Sequence, residues 1–372
     1  MKSIKVGILT FHAAHNYGSM LQAYALQTFL TDLGIDASII NFRGAPQSYL
    51  YMKPYKYWDK SLLLGRLKSP TLLIKNMKKW NKFEKFMLDF MHLTFRHSTI
   101  EGTICTIKEE QYDVVITGGD QIWAVSNPDF YMGYFLPFYI PKCRKVSYAV
   151  SIGDERWTNP QSIDFFFKSM LNDYDVISVR EKSTADIISH ILNKQVQVMP
   201  DPAFLIDTEK YNLLTKNEAI CRKKYLLYYD PKKETDPKGY LYKYARSRGL
   251  YALNSNSYDS YIRHFINKND SGPAEFINLV KNAEIICGYS MHLIIFALLY
   301  HKPFIVISDN PDARLKNLLI HFNLMDRIIP YEELNNNLTF RTIDWITVDS
   351  KIQELREEAL LFFKSVFDRK TF

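Results

Sequence analysis

His292 stands between two apolar runs, the strand-like EIICGY from Glu284 to Tyr289 and the helix-like MHLIIFALLY from Met291 to Tyr300. A helix starting there puts Ser290 at the N-cap and Met291 and His292 in the first turn, where backbone N–H groups lack intrahelical acceptors. Those amides and the helix dipole attract an anion, and an imidazole beside them can donate to a phosphate or move a proton near neutral pH. The same His can simply cap or pack, and local pattern leaves both readings open. Other strand-like runs end in similar groups. After IKVGILTF come His12, His15, Asn16, Tyr17 and Gly18, where glycine admits a close backbone approach and a tight loop is the plain alternative. After VVIT come Gly118, Gly119, Asp120 and Gln121, a turn that can bind sugar hydroxyls or only turn. After VISV comes Arg180, whose planar guanidinium suits a carboxylate or phosphate, with a surface pair to Glu181 as the alternative. No GxxxxGK[ST], GxGxxG or GxSxG occurs at these positions, which counts against nucleotide-loop and hydrolase chemistry.

These residues need elements to hold them. Short β-branched runs alternate with helical patterns, the signature of parallel α/β architecture. IKVGILTF is a strand, and SMLQAYALQTFLTDLG reads as an amphipathic helix with Ser19 as N-cap and Gly34 as stop. ASIINF, DVVITGG, RKVSYAVSIG and VISVREKSTADIISHIL continue the alternation, with Ser183 as a candidate cap. A polar stretch from Asp207 to Lys224 reads as a connection, and KYLLYYD opens a second series through EIICGY, PFIVIS and ARLKNLLIHFNL. The tail from about Ser350 reads as a final amphipathic helix.

A chain of 372 residues is long enough for two domains with separate cores. Its 25 Tyr and 24 Phe fit large buried surfaces or carbohydrate-facing clefts, and its net charge of +7 favours anionic substrates or surfaces without naming one. Residues 53–85 carry nine Lys and one Arg against two acidic residues, interleaved with Trp58 and Trp80. This segment is either a helical insertion with a solvated basic face or a contact for a membrane surface or an anionic, lipid-linked acceptor. Nucleic acid is disfavoured because no recognition motif accompanies the charge. The first apolar run is too short for a signal peptide and LIIFALLY is far short of a membrane span. The expectation is a cytoplasmic protein, with peripheral contact at the inner membrane face if 53–85 touches lipid. Cys105, Cys143, Cys221 and Cys287 are widely spaced with no CxxC pair, so reduced thiols and no metal site are expected.

Eight segments in order along nearly the whole chain resemble the polysaccharide pyruvyl transferase family: NYGSMLQAYALQ, GGDQIW, SYAVSIG, ISVREKS, PDPAFLID, GPAEFINLVKNAEII, SMHLIIFALLYHKPF and RLKNLL. The resemblance implies an α/β fold of two Rossmann-like domains with parallel sheets facing a cleft, a GT-B-like arrangement. It implies transfer of an enolpyruvyl unit from phosphoenolpyruvate to a sugar of a bacterial surface polysaccharide or its lipid-linked precursor, as a pyruvate ketal. No metal or organic cofactor is implied, and phosphoenolpyruvate is a co-substrate. By analogy His292 takes the place of the active-site His and Arg180 that of an Arg binding phosphoenolpyruvate. Ser290, Met291 and Arg314 are the further donor-binding candidates. His15, Asn16, Tyr17, Gly18, Gly119, Asp120 and Gln121 are those of the acceptor side or cleft.

The expected division is an N-terminal domain over 1–208, with the basic aromatic insertion near 50–100, on the acceptor side. A donor-side domain comes next over 209–345, and a helix over 346–372 packs back on the first domain. The chain departs from the family at the key turn. Relatives carry Arg-Leu-His-Gly or Ser-Phe-His-Gly where this chain has Ser290, Met291, His292 and Leu293, and GGDQ replaces the more usual GSDQ. Without the Arg, part of the donor clamp must come from elsewhere. Two alternatives fit the same residues: a GT-B glycosyltransferase using a nucleotide sugar, with Glu275 or Glu284 for the ribose, and a non-catalytic glycan-binding scaffold.

Overall fold

Valine- and isoleucine-rich runs become the strands of two parallel sheets, whose burial on both faces demands continuous apolar sequence. The computed structural model describes residues 3–53, 70–153, 160–219, 221–231, 236, 238–256, 261–334 and 338–368. Its contacts divide the chain into two units: residues 1–51, 87–206 and 352–372 form the first, and 52–86 with 207–351 form the second.

In the first unit, β1 (Lys5–Leu9), β2 (Asp36–Ile39), β3 (Val114–Gly118) and β4 (Arg144–Tyr148) form a parallel sheet in the order β2-β1-β3-β4. The short strands β5 (Ser178–Val179) and β6 (Gln197–Val198) pair with each other, and bridges Val146–Val176 and Val150–Val179 tie this pair to the β4 side. The chain leaves β1 for β2 on one side and returns to β3 on the other. That reversal opens a crevice at the C-terminal ends of β1 and β3, where open α/β sheets bind ligands. Beneath it Trp123 stacks on Phe135 with centroids 5.2 Å apart, inside a core that includes Leu9, Phe42, Val115 and Phe167.

The first helix runs Tyr17–Asp32 and is less amphipathic than expected: Tyr17 through Gln27 are all buried, because it packs against β2 and the Pro202–Phe204 turn. Its N-cap is Asn16 rather than Ser19, since the Asn16 side chain accepts from Gly18 N and Ser19 N. Likewise Glu181, not Ser183, holds the N-cap position of the Lys182–Leu192 helix. The final helix, Trp345–Val366, joins the first unit from Ile352 onward. There Arg356 donates to the carbonyls of Phe204 and Ile206 at 2.7 and 2.8 Å, and Phe363 stacks on Tyr148 at 4.7 Å.

The second unit contains β7 (Tyr225–Tyr229), β8 (Tyr251–Asn254), β9 (Ile266–Asn267), β10 (Ile285–Gly288), β11 (Phe304–Ile307) and β12 (Ile328–Ile329), parallel in the order β12-β11-β10-β7-β8-β9. Its reversal lies between β7 and β10. The stretch expected to be a plain connection forms a helix at Thr208–Leu214. The contacts group 52–86 with this unit rather than with the N-terminal one, and two lysines of the basic segment show why. Lys82 pairs with Glu275 at 2.6 Å and donates to the Asp270 carbonyl, and buried Lys79 donates to the Asn256 carbonyl at 3.4 Å. Lys53 lies over the Trp80 ring at 4.9 Å. Trp58 and the rest of 54–69 lie outside the described residues. No described helix is long and apolar enough to cross a membrane.

Candidate functional site

The turn around His292 follows from local chemistry. Gly288 ends β10 with φ of +152°, and a Cβ there would sit 1.9 Å from the Tyr229 carbonyl oxygen of β7, so only glycine fits. Ser290 is extended and its hydroxyl accepts from Leu293 N at 3.4 Å, capping the Met291–Leu299 helix as expected. His292 is buried in the first turn, at the end of β10 beside the sheet's point of reversal. Tyr289, just before the cap, accepts from Asp312 N through its hydroxyl at 2.6 Å. Asp312 caps the Ala313–His321 helix and binds Arg314 at 3.0 Å. The Tyr289–Asp312 link therefore ties Arg314, twenty-two positions away in sequence, to the His292 turn.

On the same edge of this unit, past the ends of β7 and β8, lies a patch of buried polar groups. Asp230 N donates to Asn256 Oδ1 at 2.6 Å, and Asn256 N to Asn254 Oδ1 at 3.0 Å. Among the described residues Asn256 Nδ2 and Asn76 Oδ1, both deeply buried, have no hydrogen-bond partner. Asn76 lies one turn from Lys79 on the Pro70–Phe90 helix. Sequence reasoning did not select these residues: single Asn and Ser residues in loops carry no signal until the topology gathers them. A cavity of about 400 Å³ opens at the opposite edge, near Ile285 and Phe304, bounded by Arg248, Arg327 and Arg341. Those arginines already serve the fold, through the Leu338 and Arg341 carbonyls and Asp326.

In the first unit the residues expected on the acceptor side gather at the crevice between β1 and β3. Asn16 caps the first helix, Tyr17 and Gly18 are buried in its first turn, and Gln22 from its next turn donates to Thr10 Oγ1 at 2.9 Å. Gly119 has φ of +88°, and a Cβ there would lie 1.8 Å from Gln22 Oε1, so the second glycine of GGDQ permits this close approach. Asp120 accepts from Gln121 N at 2.8 Å. His12 is spent inside, with its ring nitrogens on Thr10 O and Asn41 Oδ1.

Arg180 reaches the same turn but is held there. Its guanidinium pairs with Asp201 at 2.9 Å, both side chains being almost wholly buried, and also donates to the Gly119 carbonyl. Asp201 in turn caps the Pro202–Phe204 turn by accepting from Ala203 N. The partner is thus Asp201, not the neighbouring Glu181 of the plain sequence alternative. Arg180 belongs to the first unit, and His292, Ser290, Met291 and Arg314 to the second.

Three residues not selected from the sequence complete the first edge. The Asp129 carboxyl is pushed up to about 6, first by burial and then by the Asp120 charge, against a hydrogen bond from Tyr51. Tyr51 in turn lies on His15, with rings 5.4 Å apart and tilted by 30°. Gln47 Oε1 accepts from the Tyr134 hydroxyl at 3.1 Å. A carboxylate held near neutrality by burial and a like charge is the pattern of a proton-transfer group.

A family model described as polysaccharide pyruvyl transferase matches residues 16–311. No curated protein matches the chain by sequence. Among solved structures, a Listeria monocytogenes protein described as a UDP-N-acetylglucosamine 2-epimerase aligns with a TM-score of 0.54 at 10% identity, covering 99% of this chain and 97% of its own. UDP-GlcNAc 2-epimerase from Methanocaldococcus jannaschii aligns at 0.52 and 12% identity, over 95% and 93%. The Neisseria meningitidis enzyme bound to UDP-GlcNAc aligns at 0.50 and 10%, over 98% and 93%. At such identities the likeness establishes the fold, the GT-B-like class of parallel α/β sheets.

Proposed function

This chain belongs to the polysaccharide pyruvyl transferase family, and from that premise we propose that it moves a pyruvyl group from phosphoenolpyruvate to a sugar of a surface polysaccharide or its lipid-linked precursor, forming a ketal. The observation that carries the reading is His292 in the first turn of a Ser290-capped helix at the C-terminal end of β10. Amides of that turn and the helix dipole favour the donor's phosphate or carboxylate, and the imidazole is within the same turn for proton transfer. An acid protonates the donor's methylene carbon, a sugar hydroxyl attacks the C2 cation, phosphate leaves, and a neighbouring hydroxyl closes the ketal. His292 is assigned to that proton or to the departing phosphate, where positioned charge lowers the barrier.

Arg314, tied to this turn through Asp312, is assigned to the donor's anion in place of the Arg missing at Ser290. Arg180 keeps its assignment as a donor-binding residue, with part of its charge already met by Asp201. The first unit's crevice, with His15, Asn16, Tyr17, Gly18, Gly119, Asp120 and Gln121, is assigned to the acceptor. The chemistry as written uses no metal or organic cofactor.

The test is incubation of the purified protein with phosphoenolpyruvate and lipid-linked or free oligosaccharides, reading phosphate release and a pyruvate ketal by mass spectrometry. Ketal formed by wild type and abolished in His292→Ala supports the reading. Sugar transfer from a UDP- or GDP-sugar with no ketal contradicts it in favour of a glycosyltransferase, and glycan binding without turnover contradicts it in favour of a scaffold.

A further inference from the structure

Asp129 lies in none of the segments that carry the family resemblance, yet it is the most chemically prepared carboxyl of the first unit's crevice. It comes after the GGDQ turn in the loop that leads to Phe130, Tyr131 and Tyr134, and only 8% of it is exposed. Two separate stretches converge on it. Asp120 comes from the end of β3 and Tyr51 from beyond β2, with His15 from beyond β1 lying on the Tyr51 ring. Tyr134, from Asp129's own loop, feels the charges of Asp129, Tyr51 and Arg43. Arg43 Nε donates to Asn41 Oδ1 at 3.2 Å. Gln47 points to a ligand here: it is 1% exposed and bound to Tyr134 through Oε1, and its Nε2 has no hydrogen-bond partner among the described residues. A buried amide N–H left unmet calls for an oxygen.

We propose that Asp129 is the base that takes protons from the acceptor sugar's hydroxyls, with the Gln47 amide donating to an oxygen of the same sugar. The inference rests on the reading of this crevice as the acceptor side of a pyruvyl transferase. Ketal formation removes protons from two hydroxyls. As each oxygen's lone pair forms its bond to the donor's C2, the O–H electron pair stays on that oxygen and the proton passes to the Asp129 carboxylate. The C2–O bond to phosphate breaks with its electrons going to phosphate. Of the two protons set free, the net balance places one on the methylene carbon, which becomes the methyl, and one on the departing phosphate. Asp129 returns to the carboxylate each time. With its carboxyl held up to about 6 by burial and by Asp120, Asp129 is ionised at neutral pH and still basic enough to take a proton.

The test is steady-state kinetics of ketal formation against pH for wild type, Asp129→Asn, Asp129→Glu and Asp120→Asn, with phosphoenolpyruvate binding measured beside each. The expected result is a kcat for Asp129→Asn about a hundredfold or more below wild type, with phosphoenolpyruvate affinity within about threefold, and partial recovery in Asp129→Glu. Wild-type kcat/KM falls as pH drops through about 6, and Asp120→Asn moves that fall to lower pH because one raising charge is gone. Asp129→Asn with kcat near wild type, a loss confined to KM, or an acid limb unmoved by Asp120→Asn overturns the role of Asp129 while leaving pyruvyl transfer standing. A wild type that forms no ketal from phosphoenolpyruvate overturns the transferase reading and this role with it.

Discussion

At the end of β3 and at the end of β10 the backbone meets the same constraint. Gly118 stands where a Cβ would lie 2.1 Å from the Tyr148 carbonyl oxygen, and Gly288 where one would lie 1.9 Å from that of Tyr229. Each glycine marks a sheet's C-terminal edge, and beyond each the chain presents polar groups. The two sets of groups differ in kind. Past β3 the crevice holds two buried carboxyls, a tyrosine against a histidine, and an arginine locked to Asp201. Past β10 the edge holds a serine-capped helix start carrying His292, with Arg314 tied alongside and an Asn-rich patch past β7 and β8. On the proposed reading the first takes protons from hydroxyls and the second receives an anion, so that one architecture would supply two chemistries by changing the few residues after a strand.

The contrast breaks most visibly at His292. His292→Ala is expected to lower ketal formation by about 10²–10⁴-fold, the range for losing a general acid–base group, while leaving the thermal transition nearly in place. An equal loss of stability would mean that His292 only packs. Arg180→Ala sharpens the other side. Removing one partner of an almost wholly buried ion pair costs about 3–5 kcal/mol, so urea denaturation should show a large drop even with no ligand present. An unchanged midpoint would show that Arg180 is held for the ligand rather than for the fold.

Gly288→Ala places a methyl against a carbonyl and is expected to cost about 3 kcal/mol, with weaker donor binding measured on whatever protein folds. Asp129→Asn should move stability the other way. A carboxyl raised to about 6 when folded binds more protons native than unfolded. Stability therefore falls as pH rises from about 4 to about 6 and is flat above, so at neutral pH the neutral amide gains on the order of 1–3 kcal/mol. A variant more stable than wild type but inactive would mark Asp129 as a residue kept for function. The smallest effect is Lys82→Met: its pair with Glu275 is partly solvated, and about 1 kcal/mol is expected in denaturation.

Much of the fold was legible in the sequence, because period and punctuation carry backbone information. The change from EIICGY to MHLIIFALLY fixed a strand, a cap and a helix start, and with them the place of His292. The first helix was harder. Asn16 and Ser19 are both good caps, and only the observed bonds to Gly18 N and Ser19 N choose between them. The acidic crevice was legible only at Asp120 and His15, for a different reason. Gln47, Tyr51, Asp120 and Asp129 come from three separate stretches of chain, so no local window contains them. For Asp129 the hint was its place among aromatic residues in NPDFYMGYF, where a carboxylate has little water to expect. Asp201, between two prolines in PDPAF, gave no sign that it would claim Arg180. The basic segment looked like one surface, yet Lys79 and Lys82 are spent on Asn256, Asp270 and Glu275.

The most direct measurement is calorimetric titration of the protein with phosphoenolpyruvate beside UDP- and GDP-sugars, repeated on His292→Ala. The expected result is binding of phosphoenolpyruvate that weakens at least tenfold, about 1.4 kcal/mol, in the variant, with no response to the nucleotide sugars. Binding of a nucleotide sugar with no heat from phosphoenolpyruvate would contradict pyruvyl transfer and show that Ser290 and Leu293 mark a change of donor.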